Sequence, residues 1–460
     1  MFSKQTYMAR RAKLKKTIGS GLLLFIGNDE SGMNYADNTY HFRQDSSFLY
    51  FFGLPYAGLS AIIDIDNDKE IIFGDELTID DIVWMGIQPT LKEKSEAAGI
   101  TEVRPSKDIV AYLKNAQQKK QTIHYLPTYR AEHQVKLFAW LGVVPGTEKP
   151  SKDFIMGVVN MRNNKTAEEI AEIDKACIVT ADMHIAAMHT VRPGIHESDV
   201  AAAVAQVAFS HNYELSFPTI ATINGQTLHN HEHGHLIKSG DMLLLDAGAE
   251  TEMGYCGDMS STICADAKFT KRQKDVYDVQ VASHEAAVAA LRPGVPFVDV
   301  YEKALCVIWD GMKNLGFAKG DSMEAVKAGA CAMFMPCGLG HMMGLDVHDM
   351  ENLGEVYVGW NGVPKSTQFG RKSLRLGRPL EPGFCLTIEP GIYFIPELMD
   401  LWKSEHKFTD FLNYDKLATY KDFSGIRNEE DYLITETGAR LLGKKVPIHT
   451  EDVEAEKLKH

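Results

Sequence analysis

Across 460 residues the chain carries 48 Lys+Arg against 62 Asp+Glu, a formal net charge of −14, with 45% apolar and 24% charged residues. That length and balance exclude disordered, collagenous and disulfide-scaffold proteins and predict two or more domains with large cores. The acidic excess argues against nucleic acid as a partner, since phosphate contacts need clustered Lys and Arg. The one basic cluster, Arg10, Arg11, Lys13, Lys15 and Lys16, reads as the solvated face of a first helix. The early apolar run from Leu22 to Ile26 is far shorter than the ~20 residues of a membrane span. The basic start runs into further charge rather than an apolar segment, so neither a membrane anchor nor a signal peptide is expected. Seven cysteines, none before Cys177, do not suit a disulfide framework, and a reducing, cytoplasmic setting is expected.

In chain order, Gly21-Leu-Leu-Leu-Phe-Ile-Gly27, Ala61-Ile-Ile-Asp-Ile-Asp66 and Ile71-Ile-Phe73 are short apolar runs bounded by turn formers, the pattern of buried strands. Residues 78–86 and 107–119 read as helices, which makes the first third an α/β domain. The turn-rich stretch 143–151 reads as a linker or exposed loop, and the domain boundary is placed between 158 and 159. Thr166 three residues before Glu169 forms a capping box that opens a long helix reaching about Val191.

The remainder repeats itself. Residues 183–200 align without gaps on residues 283–300, with eight of 18 positions identical. Each copy reads as a helix, an Arg-Pro-Gly turn, and a second helix. Convergent helix–turn–helix chemistry could produce this, but a duplicated half-domain accounts for more of it and would place a site where the halves meet. Strands are predicted at Asp241-Met-Leu-Leu-Leu-Asp246, Cys385-Leu-Thr-Ile-Glu389 and Asp431-Tyr-Leu-Ile-Thr435.

Several of these strands end on acids. Asp246 and Glu389 close apolar runs, Asp258 lies 12 residues beyond Asp246 across a glycine-containing hairpin, and Glu429 sits in Gly425-Ile-Arg-Asn-Glu429. An ionised carboxylate at the end of a buried strand is costly unless it is paired or bound to a cation. Any one of them could be a capping or salt-bridged residue. Four together, with His341 in a glycine-rich segment, form a donor set suited to a pair of divalent ions. Oxygen-rich ligation favours Mn²⁺, with Co²⁺ or Zn²⁺ as alternatives.

The motifs Leu245-Asp-Ala-Gly248, Gly257-Asp258, Gly338-Leu-Gly-His341 with Leu345-Asp-Val-His-Asp349, Ile388-Glu-Pro-Gly391 and Gly425-Ile-Arg-Asn-Glu429 resemble, in order, the five-ligand signature of the pita-bread metallopeptidases. Within that group the chain is most similar to the branch of aminopeptidase P and prolidase. Phe42-Arg-Gln-Asp-Ser-Ser-Phe48 and Tyr50-Phe-Phe-Gly53 are similar to the N-terminal module of those enzymes, so the resemblance spans essentially the whole chain. It implies a smaller N-terminal α/β domain, residues 1–158, followed by a pita-bread (duplicated α+β) catalytic domain, residues 159–460.

The resemblance also implies roles. Asp258 and Glu429 would bridge two metal ions, Asp246 would complete one and His341 with Glu389 the other. A hydroxide between the ions would be the nucleophile, with Glu389 receiving the water's proton. His348 would steady the tetrahedral intermediate, and His229, in Thr227-Leu-His-Asn230, would contact substrate. The expected substrates are small proline-containing peptides cleaved at an N-terminal Xaa-Pro bond. A homodimer or homotetramer is implied, with no nucleic-acid or membrane partner.

Some features depart from the pattern. The hairpin between Asp246 and Asp258 carries one extra residue near Glu252-Met253, Asn230 replaces a tyrosine, and Cys337 stands where the family has histidine. Cys337 reads as a small wall residue, with a metal-ligating thiolate as the alternative. The run His229-Asn-His-Glu-His-Gly-His235 would align four histidines on one face of an extended strand. Only His229 matches a motif, and His231, His233 and His235 read as a solvated loop rim. Arg375, in Lys372-Ser-Leu-Arg375, falls where prolidases hold the free carboxylate of a dipeptide, a task suited to a guanidinium fork; pairing with a surface acid is the alternative. With an insert around 397–420, these features lean to Xaa-Pro dipeptides, longer Xaa-Pro peptides being the second choice. A metal-free peptide-binding module of the same fold is the remote alternative.

Overall fold

The computed structural model describes residues 1–459. The chain divides into two units: Met1–Arg162 with Met350–Tyr357, and Asn163–Asp349 with Val358–His460. The excursion of residues 350–357 into the first unit has no local signal in the sequence. The turn-rich stretch 143–151 is an exposed loop inside the first unit, followed there by the helix Lys152–Asn163. Among the described residues no helix is long and apolar enough to cross a membrane.

The first unit is built on a mixed five-stranded sheet of β1 (Leu22–Ile26), β2 (Ser60–Asp64), β3 (Lys69–Phe73), β4 (Glu102–Arg104) and β5 (Ile123–Tyr125), in the order β4-β3-β2-β1-β5. Its first three strands pair antiparallel and its two outer strands parallel. The predicted helices form as Ile79–Met85, closed by a Thr78–Asp81 capping box, and Asp108–Gln118, whose Ile109 and Leu113 pack on Leu22, Leu24 and Ile71.

The basic cluster corrects its expectation. Lys13 and Lys16 are exposed, but Arg11 is fully buried, donating Nη1 to Phe51 O, Nη2 to Ala98 O and Nε to Glu70. Arg10 donates to Tyr50 O and lies 3.9 Å over the Tyr50 ring. Five donors on one planar group can close several backbone carbonyls at once, so these arginines act as internal braces.

In the second unit the capping box at Thr166 opens the helix Ala167–Thr190, and the repeat becomes two helix pairs: Ala167–Thr190 with Glu197–Ser210, and Lys271–Ala290 with Phe297–Asn314. Each pair turns at a glycine in the left-handed region, Gly194 (φ 92°) and Gly294 (φ 83°), a conformation that penalises any residue with a Cβ. The corresponding histidines, His184 and His284, are both buried, and burial pushes both pKa values down to about 4.

The strands of this unit are β6 (Glu214–Leu215), β7 (Ile220–Thr222), β8 (Met242–Ala247), β9 (Ala249–Glu250), β10 (Met259–Cys264), β11 (Cys385–Ile388), β12 (Gly391–Tyr393), β13 (Gly425–Arg427), β14 (Glu430–Ile434) and β15 (Ala439–Leu441). They form sheets β10-β8-β7 and β11-β14-β15 with the ribbons β12-β13 and β6-β9. The first repeat's long helix packs on β8 and β10, the second's on β11, β12 and β13. An isolated bridge from Ser260 to Glu429 joins the two strand sets, and that junction carries the acids.

Candidate metal centre and its cavity

Hairpin geometry brings the first two acids together. β8 and β10 run antiparallel with Asp246 opposite Ser260, so Asp258 at the mouth of β10 returns beside the end of β8. Between them the chain reverses in a turn where Gly254 (φ 84°) donates to Thr251 O. Glu389 follows β11 and Glu429 lies between β13 and β14, whose pairing with β11 sets Ile388 opposite Glu430. Glu429 is then fixed twice by Ser260: its N–H donates to Ser260 O at 3.0 Å, and its Oε2 accepts from Ser260 Oγ at 2.7 Å.

Asp258, His341 and Glu429 are buried and offer ligand atoms within 4.8 Å of one another. His341 Nε2 lies 3.3 Å from Asp258 Oδ2 and 3.7 Å from Glu389 Oε1. Its Nδ1 stands 3.0 Å from the Met342 carbonyl, which can only accept, so Nδ1 carries the proton. Its Nε2 faces two carboxylates, an arrangement that a cation between them would satisfy. Asp246 presses the same requirement. Its Oδ2 accepts from Arg427 Nη2 at 2.6 Å, while buried Oδ1 has no hydrogen-bond partner.

The electrostatics agree. Asp258 is held well above the usual carboxylate range, first by burial and then by Asp246, Asp431 and Glu389. Glu429 is raised by burial, Asp258 and Glu389 in the same way. Like charges crowded in a low dielectric favour the protonated forms until a cation neutralises them. These donors, a lone-pair nitrogen and carboxylate oxygens, fit divalent metal ions.

All five predicted ligands line one cavity of about 490 Å³, and so do His229, His348, Arg375 and Cys337. His348 stands edge-on to His341 with ring centroids 4.3 Å apart. Arg375 is held between fully buried Leu374 and Leu376. Phe217, Pro218, Ile220 and Leu228 form an apolar wall. Cys337 packs on the cluster of Ile220, Leu244 and Tyr393, and burial, with Glu389 beside it, pushes its thiol up to about 12, which favours a neutral wall residue.

The histidine run does not form a strand. His231 is exposed on the cavity lining, whereas His233 Nε2 donates to Thr219 O and His235 pairs with buried Glu197 at 2.9 Å. The run is therefore only partly a solvated rim, because two of its histidines anchor the loop.

Arg427, Tyr393, Ser260 and Asp431 carry much of the geometry and received no role from the sequence. Buried Arg427 donates Nε to Ser260 Oγ, Nη1 to Tyr393 Oη and Nη2 to Asp246. Burial opposes its charge, but Tyr393, Asp246, Glu429 and Glu389 outweigh that and raise its pKa. Asp431 accepts the Asp258 N–H at 3.0 Å. The available signal was the two-residue spacing from Arg427 to Glu429 to Asp431, which in extended backbone shares one face.

Comparison with known proteins matches residues 7–124 to the aminopeptidase P N-terminal domain and residues 171–436 to metallopeptidase family M24. The chain is 29% identical to the Xaa-Pro dipeptidase of Homo sapiens, over 97% of this chain and 91% of that protein. It is 30% identical to the Xaa-Pro aminopeptidase of Escherichia coli (strain K12), over 98% of this chain and 97% of that one. Among solved structures, proline aminopeptidase P II from Yersinia pestis superposes with a TM-score of 0.82 at 26% identity, covering 100% of both chains. Aminopeptidase P from E. coli with the inhibitor Pro-Leu gives 0.80 at 26% identity, covering 100% of this chain and 99% of that one. With one family model spanning more than half of its length around the acid and histidine cluster, this chain belongs to metallopeptidase family M24.

Proposed function

We propose that this protein hydrolyses the Xaa-Pro bond at the N-terminus of small peptides with two divalent metal ions, and that Xaa-Pro dipeptides are its preferred substrates. Asp258 and Glu429 would hold both ions, with Asp246 serving one and His341 and Glu389 the other; Mn²⁺ is the first choice and Co²⁺ or Zn²⁺ the alternatives. When bound, the ions polarise the scissile carbonyl and lower the pKa of water towards ~7.

The protein's own groups do the rest. Glu389 takes the water's proton and returns it to the proline nitrogen as the C–N bond breaks. His348, on the cavity wall beside His341, donates to the oxygen that gains charge as the peptide carbon becomes tetrahedral. His229, which lines the same cavity, contacts the substrate, and the apolar lining of Phe217, Pro218, Ile220 and Leu228 suits a pyrrolidine ring. Arg375 forks onto the free carboxylate of a dipeptide.

The observation that carries the dipeptide reading is Arg375 in the same cavity as the five ligand side chains. A longer peptide has an amide where the dipeptide has its carboxylate, so the half-buried guanidinium of Arg375 distinguishes the two. The second reading, an aminopeptidase acting on longer Xaa-Pro peptides, is favoured by the likeness to solved aminopeptidase P structures. The two helix pairs support a pita-bread duplication for the catalytic unit. Hydrolysis of Ala-Pro and Ala-Pro-Ala by the Mn²⁺-loaded enzyme tests the choice: higher kcat/KM on Ala-Pro is expected, and the reverse order makes the enzyme an aminopeptidase.

A further inference from the structure

Outside the cavity lining lies a buried ion pair. Lys165 Nζ donates to Asp349 Oδ2 at 2.9 Å, and both side chains are 1% exposed. Burying two opposite charges is a poor way to gain stability, because desolvation offsets most of their attraction. This pair sits where position matters. Asp349 follows His348 directly, and its N–H donates to the Met342 carbonyl at 2.8 Å, the same carbonyl that accepts His341 Nδ1–H. The loop from 341 to 349 is thereby closed on one oxygen, with one cavity histidine at each end.

The loop is also shaped around the pair. A Cβ on Gly344 would stand 2.7 Å from Asp349 Oδ2 and 3.0 Å from Lys165 Cε, so only glycine lets the lysine pass. Lys165 itself is fixed from the other side. Its N–H donates to Gly383 O at 2.9 Å, and its neighbour Thr166 caps the helix Ala167–Thr190. A rigid helix start therefore holds a carboxylate, which holds the loop.

The geometry points to Lys165 as a positioning residue that acts through Asp349 to set the orientation of His341 and His348. This rests on the reading of His341 as a metal ligand and His348 as a substrate contact. Lys165 touches neither metal nor substrate; it fixes the carbonyl that selects the His341 tautomer and the backbone that aims His348.

The test uses the full chain with Co²⁺ as probe. The double variant Lys165→Met/Asp349→Asn removes both charges and keeps the Asp349 backbone donor, so the metal-free unfolding midpoint should stay near that of the unsubstituted protein. Co²⁺ should bind about 10–100-fold more weakly, as for loss of other groups that orient metal ligands. Its visible spectrum should change, and kcat should fall by at least about tenfold with KM within about threefold. Asp349→Asn alone should show the same losses of Co²⁺ affinity and kcat, but with a lowered unfolding midpoint, because Lys165 then stays buried without its partner charge. Co²⁺ affinity, spectrum and kcat all equal to the unsubstituted protein would overturn the inference while leaving the metal site intact. An unsubstituted protein that binds no Co²⁺ would instead overturn the site reading, and the inference with it.

Discussion

Arg427 holds Asp246 by a 2.6 Å contact from Nη2 to Oδ2, and leaves the other oxygen, Oδ1, buried and without a partner. One carboxylate is thus oriented by a cation of the protein and still lacks half of its expected coordination. The same guanidinium reaches Ser260, which fixes Glu429, so one arginine sets two acids contributed by strands far apart in sequence. A fork of fixed planar donors can do this, whereas a lysine ammonium could not span the three acceptors.

Replacing Asp258 or Glu429 by Ala should abolish turnover and lower the bound metal, because each is proposed to hold both ions. Metal content by atomic spectroscopy beside hydrolysis rates provides the check. Full occupancy with near-normal rates in either variant would remove that residue from the site.

His348→Ala should keep its metal and lose ~10²–10³-fold in kcat, the usual cost of removing one transition-state donor. If metal is lost in step with turnover, His348 belongs to the coordination shell and not to the substrate wall.

Arg375→Ala should reduce kcat/KM on Ala-Pro by about 10–150-fold, from a charge-assisted contact of roughly 1.5–3 kcal/mol. Ala-Pro-Ala, with an amide at that point, should lose far less. Lys at the same position should restore only part of the difference, since a point charge lacks the bidentate fork. Equal losses on both substrates would make Arg375 structural.

His133, in the first unit and far in sequence from the acids, offers a pH test. Burial first, and then Lys136, lowers its pKa to about 4. The folded protein keeps the ring neutral while an unfolded chain protonates it near 6.5. Its share of stability is therefore full above pH ~6.5, falls as pH drops towards 4, and is lost below that, by roughly 3 kcal/mol in total. NMR should show the His133 ring titrating near 4, and His133→Phe should flatten the loss of unfolding midpoint between pH 6.5 and 4. A ring that titrates near 6.5 contradicts the expectation.

Much of the site was legible because burial makes local demands. Acids at the ends of apolar strands need a partner or a cation, and Asp246, Asp258, Glu389 and Glu429 line one cavity with His341. The capping box of Thr166 and Glu169 forms as the spacing requires, since N–H groups at a helix start need acceptors within one turn. The repeated segments become two helix pairs for the same local reason.

Other features depended on residues that the fold alone makes neighbours. Arg10 and Arg11 look like a wet helix face until Tyr50, Phe51 and Ala98 present carbonyls to them. Four histidines spaced for one strand face divide between the cavity and two structural anchors, because Thr219 and Glu197 compete for them. Periodicity, caps and acid placement were determined by the chain itself, through interactions between residues a few positions apart. The partners of Arg427, the Lys165–Asp349 pair and the excursion of residues 350–357 were decided only by the tertiary structure. The Arg427–Asp246 and Lys165–Asp349 contacts join groups 181 and 184 residues apart in sequence, whose charges have no compulsory partner until packing removes the water around them.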